Sequence, residues 1–319
     1  MPFRHCSALL LLALAASPAL AQPFPARPIR VIVPYAASST PDIAARLLGP
    51  KLSEAWGQPV VVENVVGANG IIAGEALLKA PRDGHTIAMI AANHVVNPHL
   101  YSRVPFDVVK DFGAVTAVAA VTFILVAHPS VPAADMKALL ALARARPGTV
   151  TFGSAGSGSP GHLAGQLLAS TAGISLLHVP YKGIAQALVD TAGGQIALSM
   201  SPSAAALPHV TSKRLRALGV TSRTRSIAAP DVPTIAESGV PGYELTAWIG
   251  VVTAAGVPAP LIARLHGDVT KALAGDVRSR LEGQGVDVLG TTPERFGEMI
   301  AGDAVRYGKL VRESGAKLD

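Results

Sequence analysis

Cysteine is almost absent. The single residue, Cys6, stands ahead of an N-terminal apolar run, so the remainder of the chain carries no thiol. Disulfides, cysteine nucleophiles and thiolate metal ligands are thereby excluded from it. Aromatic residues contribute only 4% and charged residues 15% of the 319, while half are hydrophobic. That is ample material for a buried core, in a chain too long for one average domain. Alanine, valine and leucine supply the core. Such a composition suits α/β layering, with β-branched residues in strands and Ala and Leu on the helices that cover them. Beyond the N-terminus no apolar run approaches the ~20 residues needed to span a bilayer. A Gly-Lys-Ser/Thr phosphate loop is missing, as are His-x-x-x-His and His-Glu-x-x-His pairs, so neither a cofactor nor a metal is expected.

The N-terminus reads as an export signal. Arg4 and His5 give a basic start, residues 7–16 an apolar run, and Ala19-Leu20-Ala21 the small residues of a cleavage site. The expected signal peptide is 1–21, with a mature periplasmic protein released after Ala21. Lys+Arg outnumber Asp+Glu by 27 to 21, a net charge of +6. The cations are scattered apart from Lys213-Arg214-Leu215-Arg216 and Arg223-Thr224-Arg225, which read as a solvated face; no nucleic-acid partner is expected. A mild positive field favours anionic solutes.

Along the chain, short apolar runs alternate with helical stretches. Strands are expected at 29–33, 60–62, 86–91, 122–127, 150–152, 174–179, 196–199, 215–220 and 244–254. Helices are expected from Thr40-Pro41-Asp42 to Trp56-Gly57, and at 71–79, 134–146, 162–171, 185–191, 260–273, 276–284 and 293–314. This alternation predicts an α/β fold with mainly parallel sheets flanked by helices.

Two distant segments match. Residues 31–41, Val-Ile-Val-Pro-Tyr-Ala-Ala-Ser-Ser-Thr-Pro, and 150–160, Val-Thr-Phe-Gly-Ser-Ala-Gly-Ser-Gly-Ser-Pro, both read as strand, small-residue loop, hydroxyl cap, proline and helix. Such a loop aims free backbone N–H groups and a positive helix end at one spot, at the carboxyl end of the strand where open α/β sheets bind ligands. Tyr35, Ala36, Ser38, Ser39, Thr40 and Asp42 line the first cradle. Ser154, Ala155, Ser157, Gly158, Ser159 and His162 line the second. Although Gly156 to Gly161 matches G-x-G-x-x-G, the next strand ends His178-Val179-Pro180-Tyr181 without the carboxylate a dinucleotide needs. Ser157-Gly-Ser159-Pro-Gly161 misses the first glycine of a nucleophile elbow. A secreted hydrolase using Ser159 and His162 remains a competing reading; no catalytic residue is assigned.

The chain resembles the Bug family, the TctC-type periplasmic substrate-binding proteins of tripartite tricarboxylate transporters. The resemblance rests on Pro-Ile-Arg-Val-Ile-Val-Pro-Tyr-Ala-Ala at 28–37, Asp42-Ile-Ala-Ala-Arg46, Trp56-Gly-Gln-Pro-Val-Val-Val-Glu-Asn64, residues 152–163, Val179-Pro-Tyr-Lys-Gly183, Asp231 to Gly239, and Pro241-Gly-Tyr243 with Trp248. It implies a non-enzymatic, two-lobed periplasmic-binding fold of type II: lobe 1 at 24–122 plus 228–319, lobe 2 at 123–227. A small carboxylate would sit in the interlobe cleft, held by amides, hydroxyls and waters rather than an arginine clamp. Asn93, Tyr181, Ser201 and Ser203 complete the expected ligand set. The implied partners are the carboxylate and the large and small membrane subunits of the transporter, with the protein itself a monomer. Presentation of the ligand to a membrane sensor is the alternative. Three departures bear on the ligand. Ser38-Ser39 replaces a frequent Gly-Gly, Val65-Val66 a frequent Arg-Pro, and Ser201 an Asp common in amino-acid binders. The last disfavours an ammonium-bearing ligand and points to a dicarboxylate or aromatic acid.

Overall fold

Central chain segments rich in Val, Ile and Ala are buried on both faces as strands, edge strands are partly exposed, and helices with one apolar stripe cover the sheets. The structure, a computed structural model, describes residues 24–314; the leader expected at 1–21 lies outside them. The first half comprises β1 (Ile29–Val33), α1 (Thr40–Trp56), β2 (Val60–Asn64), α2 (Ile71–Leu78), β3 (Thr86–Ala91), α3 (Asn93–Leu100), α4 (Val108–Asp111) and β4 (Phe112–Val121). Then come β5 (Phe123–Ala127), α5 (Met136–Ala145), β6 (Thr151–Ser154), α6 (Pro160–Ala172), β7 (Leu177–Pro180), α7 (Ile184–Ala192), β8 (Leu198–Pro202), α8 (Ser203–Thr211) and β9 (Arg216–Val220). The chain returns through β10 (Ala247–Ala254), α9 (Ala259–Ala272), α10 (Asp276–Glu282), β11 (Asp287–Val288) and α11 (Pro293–Ser314).

Two sheets result, with strand orders β2-β1-β3-β10-β4-β11 and β7-β6-β8-β5-β9. They share a plan. In each, a strand pairs in parallel with the two that follow it, β1 with β2 and β3, β6 with β7 and β8. In each, the strand arriving from the other sheet, β10 or β5, then adds antiparallel. The sheets are therefore mixed, which corrects the expectation of mainly parallel ones. A strand that crosses from the other sheet enters at the carboxyl ends of the parallel strands and must run the opposite way. The alternation also missed β4, whose Ala-rich run reads poorly as a strand, together with α3 and α8, each interrupted by a proline.

The sheets are joined at Thr122, between β4 and β5, and through residues 221–246, between β9 and β10. One carboxylate ties these crossovers together. Asp287 accepts Thr122 Oγ1 at 2.8 Å and Ser226 Oγ at 3.4 Å. Across the same join, Phe123 N donates to Thr221 Oγ1 at 3.0 Å, and Thr221 N to Phe123 O at 2.9 Å. Among the described residues, no helix is long and apolar enough to cross a membrane.

Candidate ligand-binding site

The two expected cradles follow β1 and β6 and have the same backbone. Ser39 N donates to Ala36 O and Ser159 N to Gly156 O, both at 3.2 Å. Ile43 N reaches Ser39 O at 2.9 Å, and Leu163 N reaches Ser159 O at 3.0 Å. The residue before the cap is left-handed in each: φ is +67° at Ser38 and +75° at Gly158. Its amide turns onto the side chain four residues on. Ser38 N donates to Asp42 Oδ2 at 2.9 Å, and Gly158 N to His162 Nδ1 at 3.0 Å. Asp42 and His162 are thus positional counterparts, one a carboxylate and the other an imidazole. Glycine enters the left-handed region freely, whereas a serine there carries a cost of about 1 kcal/mol, so Ser38 holds a conformation that a glycine would hold unstrained.

In the first cradle Asp42 is 2% exposed. Besides Ser38 N it accepts Arg46 Nε at 3.0 Å on both oxygens and Asn64 Nδ2 at 2.8 Å. Burial pushes its proton affinity up, but the hydrogen bonds from Arg46, Asn64 and Ser38 N and the Arg46 charge outweigh that and hold the carboxyl below its ordinary range. Asp42, expected in the ligand set, therefore braces the loop, and Arg46 is its ion-pair partner rather than a clamp. The helix starts at Thr40, one residue earlier than a threonine cap would require. Ser39 holds the cap position, yet its hydroxyl makes no capping bond and is buried without a partner. Tyr35 donates its hydroxyl to Asn93 Oδ1. Asn93 Nδ2 reaches Asn69 O at 2.7 Å, and Asn69 Nδ2 reaches Asn97 Oδ1 at 2.7 Å. This amide network joins the loops after β1, β2 and β3. Burial raises the Tyr35 hydroxyl well above its ordinary value, more than the Asn93 bond lowers it. Ala36 and Ser38 are exposed, and Thr40 is partly so.

In the second cradle Ser159 does cap, accepting His162 N at 3.3 Å. Ser154, fully buried, is the hub: it donates to Gly156 O at 3.1 Å, accepts Ser159 Oγ at 3.2 Å, and meets His178 Nε2 at 2.7 Å. His178 stacks on His162 with ring centroids 3.9 Å apart. Burial lowers the proton affinity of both, that of His178 to about 4 with a further contribution from His162, so both imidazoles are neutral. The Ser159 hydroxyl donates to Ser154 Oγ and the His162 Nδ1 receives Gly158 N, so each is bonded elsewhere rather than to the other. Ala155 and Ser157 are exposed. Leu100, at the end of α3, reaches across from the first lobe: a Cβ at Gly158 would stand 3.3 Å from its Cδ1.

Three other expected residues have their polar groups engaged within the protein. The Ser201 hydroxyl is buried against Ser199 Oγ at 2.8 Å. Ser203, also buried, donates to Thr122 O at 2.9 Å and so braces a crossover. Tyr181 donates its hydroxyl to Asp190 at 2.9 Å; burial, then Asp190, pushes it up to about 12. Sequence reasoning missed Asn69, Asn97 and the Ser154–His178 contact. Asn93 directly after a strand end was the one available signal for the amide network. Cavities of about 330 Å³ around His128 and Arg146 and about 670 Å³ beside Thr122 and Asp287 lie elsewhere, and neither is lined by a cradle residue.

Two mixed α/β sheets, paired crossovers and a strand-to-helix cradle on each sheet define a two-lobed solute-binding protein. The pattern described as "Tripartite tricarboxylate transporter family receptor" (TctC) matches residues 44–316. The chain belongs to this family of periplasmic solute-binding proteins. It is similar to protein BugT of Bordetella pertussis, 36% identical over 95% of this chain and 94% of that protein. Among solved structures, it resembles a protein of R. palustris with adipate (32% identity, TM-score 0.73, 92% of this chain and 100% of that one). It also resembles MatC from Rhodopseudomonas palustris with bound malate (27%, 0.70, 90% and 100%).

Proposed function

We propose that this protein, exported by cleavage after Ala21, captures a small carboxylate without an ammonium group and passes it to the large and small membrane subunits of a tripartite transporter. It acts as a monomer and catalyses no reaction. The carrying observation is the paired cradles, which offer amides, hydroxyls and helix ends but no arginine, lysine or free carboxylate. Asp42, the one acid in either cradle, is consumed by Ser38, Arg46 and Asn64, so nothing there would pair with an ammonium. The adipate and malate carried by two similar structures support the same class. Lobe 1 is read as 24–122 plus 228–319 and lobe 2 as 123–227, hinged at the crossovers. Ala36, Ser38, Ser39, Thr40, Ala155, Ser157, Gly158 and Ser159 form the anion contacts, with Tyr35, Asn93 and Tyr181 as walls. Calorimetry with succinate, malate, adipate, citrate, benzoate, aspartate and glutamate tests this. Binding of one or more simple carboxylates is expected; tight binding of aspartate or glutamate alone would overturn it.

A further inference from the structure

The second cradle is satisfied by its own imidazole. Gly158 N–H, left-handed and aimed at the loop, already has an acceptor in His162 Nδ1 at 3.0 Å. An anion that takes this amide leaves Nδ1 with a lone pair and no donor, in a side chain only 4% exposed. A buried acceptor so orphaned is costly, and protonation removes the cost by turning the acceptor into a donor. An oxygen hydrogen-bonded to Gly158 N would also lie beside Nδ1, placing the new N–H on the anion. The first cradle has no such option, because its acceptor is a carboxylate held by a guanidinium.

We infer that His162 is the titratable partner of the ligand: on capture the carboxylate takes over the Gly158 amide, and the imidazole takes up one proton from solvent and holds the anion as an imidazolium. This rests on the carboxylate reading above. The surroundings allow one proton and not two. His178 from β7 stacks on the ring, and two adjacent imidazolium rings repel. Phe152 faces it from β6, and Gln166 from α6 stands 3.4 Å from its Nε2. Helix α11 packs on α6, but its buried acid Asp303 is engaged by Trp248 and Arg306. Lys182 on the β7–α7 loop is exposed. Burial is the one cause acting on the proton affinity of His162 in the free protein, so no fixed charge competes with the ligand's.

Calorimetry with adipate and malate, in two buffers of different ionisation enthalpy across about pH 5 to 8, is the test. The expected result is uptake of about one proton, with affinity rising up to about tenfold per pH unit as pH falls. Protonation of the ligand itself would weaken binding in that direction, so the sign separates the two. His162→Gln keeps an acceptor for Gly158 N but cannot titrate; it should bind more weakly than the native protein, most of all at acid pH, with the pH slope and the buffer dependence gone. Binding by the native protein with no proton uptake, or an unchanged slope in the variant, overturns the inference and leaves the carboxylate reading intact. Absence of binding by every acid tested removes both.

Discussion

The two cradles have one backbone and opposite chemistry. In the first, the amide before the cap meets a carboxylate, itself fixed by Arg46 and Asn64, while the Ser39 hydroxyl is left without a partner. In the second, the cap is made, the hydroxyls are bonded to one another, and the amide meets a neutral imidazole. The first is braced and keeps a donor in reserve; the second is satisfied by itself and must exchange partners to accept a ligand. Equal geometry therefore does not mean equal roles.

The largest expected effect comes from removing the brace. Asp42→Ala leaves Ser38 N–H, Asn64 and Arg46 without their acceptor and should destabilise the protein by about 2 kcal/mol or more in urea unfolding. The pH dependence sharpens the contrast. Asp42 has a depressed folded value, so its contribution is present above the ordinary carboxylate range of about 4 and is lost as pH falls through the lower folded value. His162, depressed by burial, begins to withdraw stability sooner, as pH falls below about 6.5. Asp42→Ala should flatten only the more acid part of a stability profile, and His162→Gln only the part nearer neutrality.

Next in size is Gly158→Val. A side chain at φ +75° is strained and would press on Leu100 at 3.3 Å. Carboxylate affinity should fall about thirtyfold, roughly 2 kcal/mol, in a protein that still folds. Unchanged affinity would remove the second cradle from the site. The two cap serines form a sharper pair. Ser159→Ala loses a capping bond and should cost about 1 kcal/mol of thermal stability. Ser39→Ala loses none and should cost less than about 0.5 kcal/mol while weakening the ligand. The reverse pattern would exchange the roles given to the two loops. Last is Ser38→Gly, which relieves a left-handed serine but loosens the unfolded chain; a net gain of no more than about 0.5 kcal/mol is expected, read as a rise of about 1 °C or less in Tm.

Much of this was legible in the sequence, and the limits have physical causes. The strand at Thr86–Ala91, opened by a turn signal, was placed to the residue, and the last helix was placed to start at Pro293, as it does. The shared strand-loop-helix pattern located both cradles because a small-residue loop and a hydroxyl cap are local features. What escaped depends on which strands lie side by side. His178 reaches Ser154 because β6 and β7 pair, and Asn93 meets Tyr35 because β1 and β3 pair. Ser201 and Ser203 were read as open hydroxyls, yet each finds a partner buried around β8. The role of Asp42 was half legible: a residue four positions from an arginine on one helix favours the ion pair found, but the amide of Ser38 could be assigned only once the loop's left-handed turn was seen.

The position of β10 fixes an order of assembly. It lies between β3 and β4 in the sheet, although the ribosome makes it only after β5 to β9 are complete. Until residues 247–254 emerge, the first sheet has a gap at its centre and its flanking strands present open edges. The second sheet is one unbroken stretch whose first and last strands, β5 and β9, are neighbours, so it can close on its own. The middle of the chain, residues 123–220, should therefore reach native structure before the flanking segments that build the first sheet, and the nascent first sheet is the part most in need of a chaperone. Pulse-labelled hydrogen exchange during refolding should show β6 and β8 protected before β1 and β3.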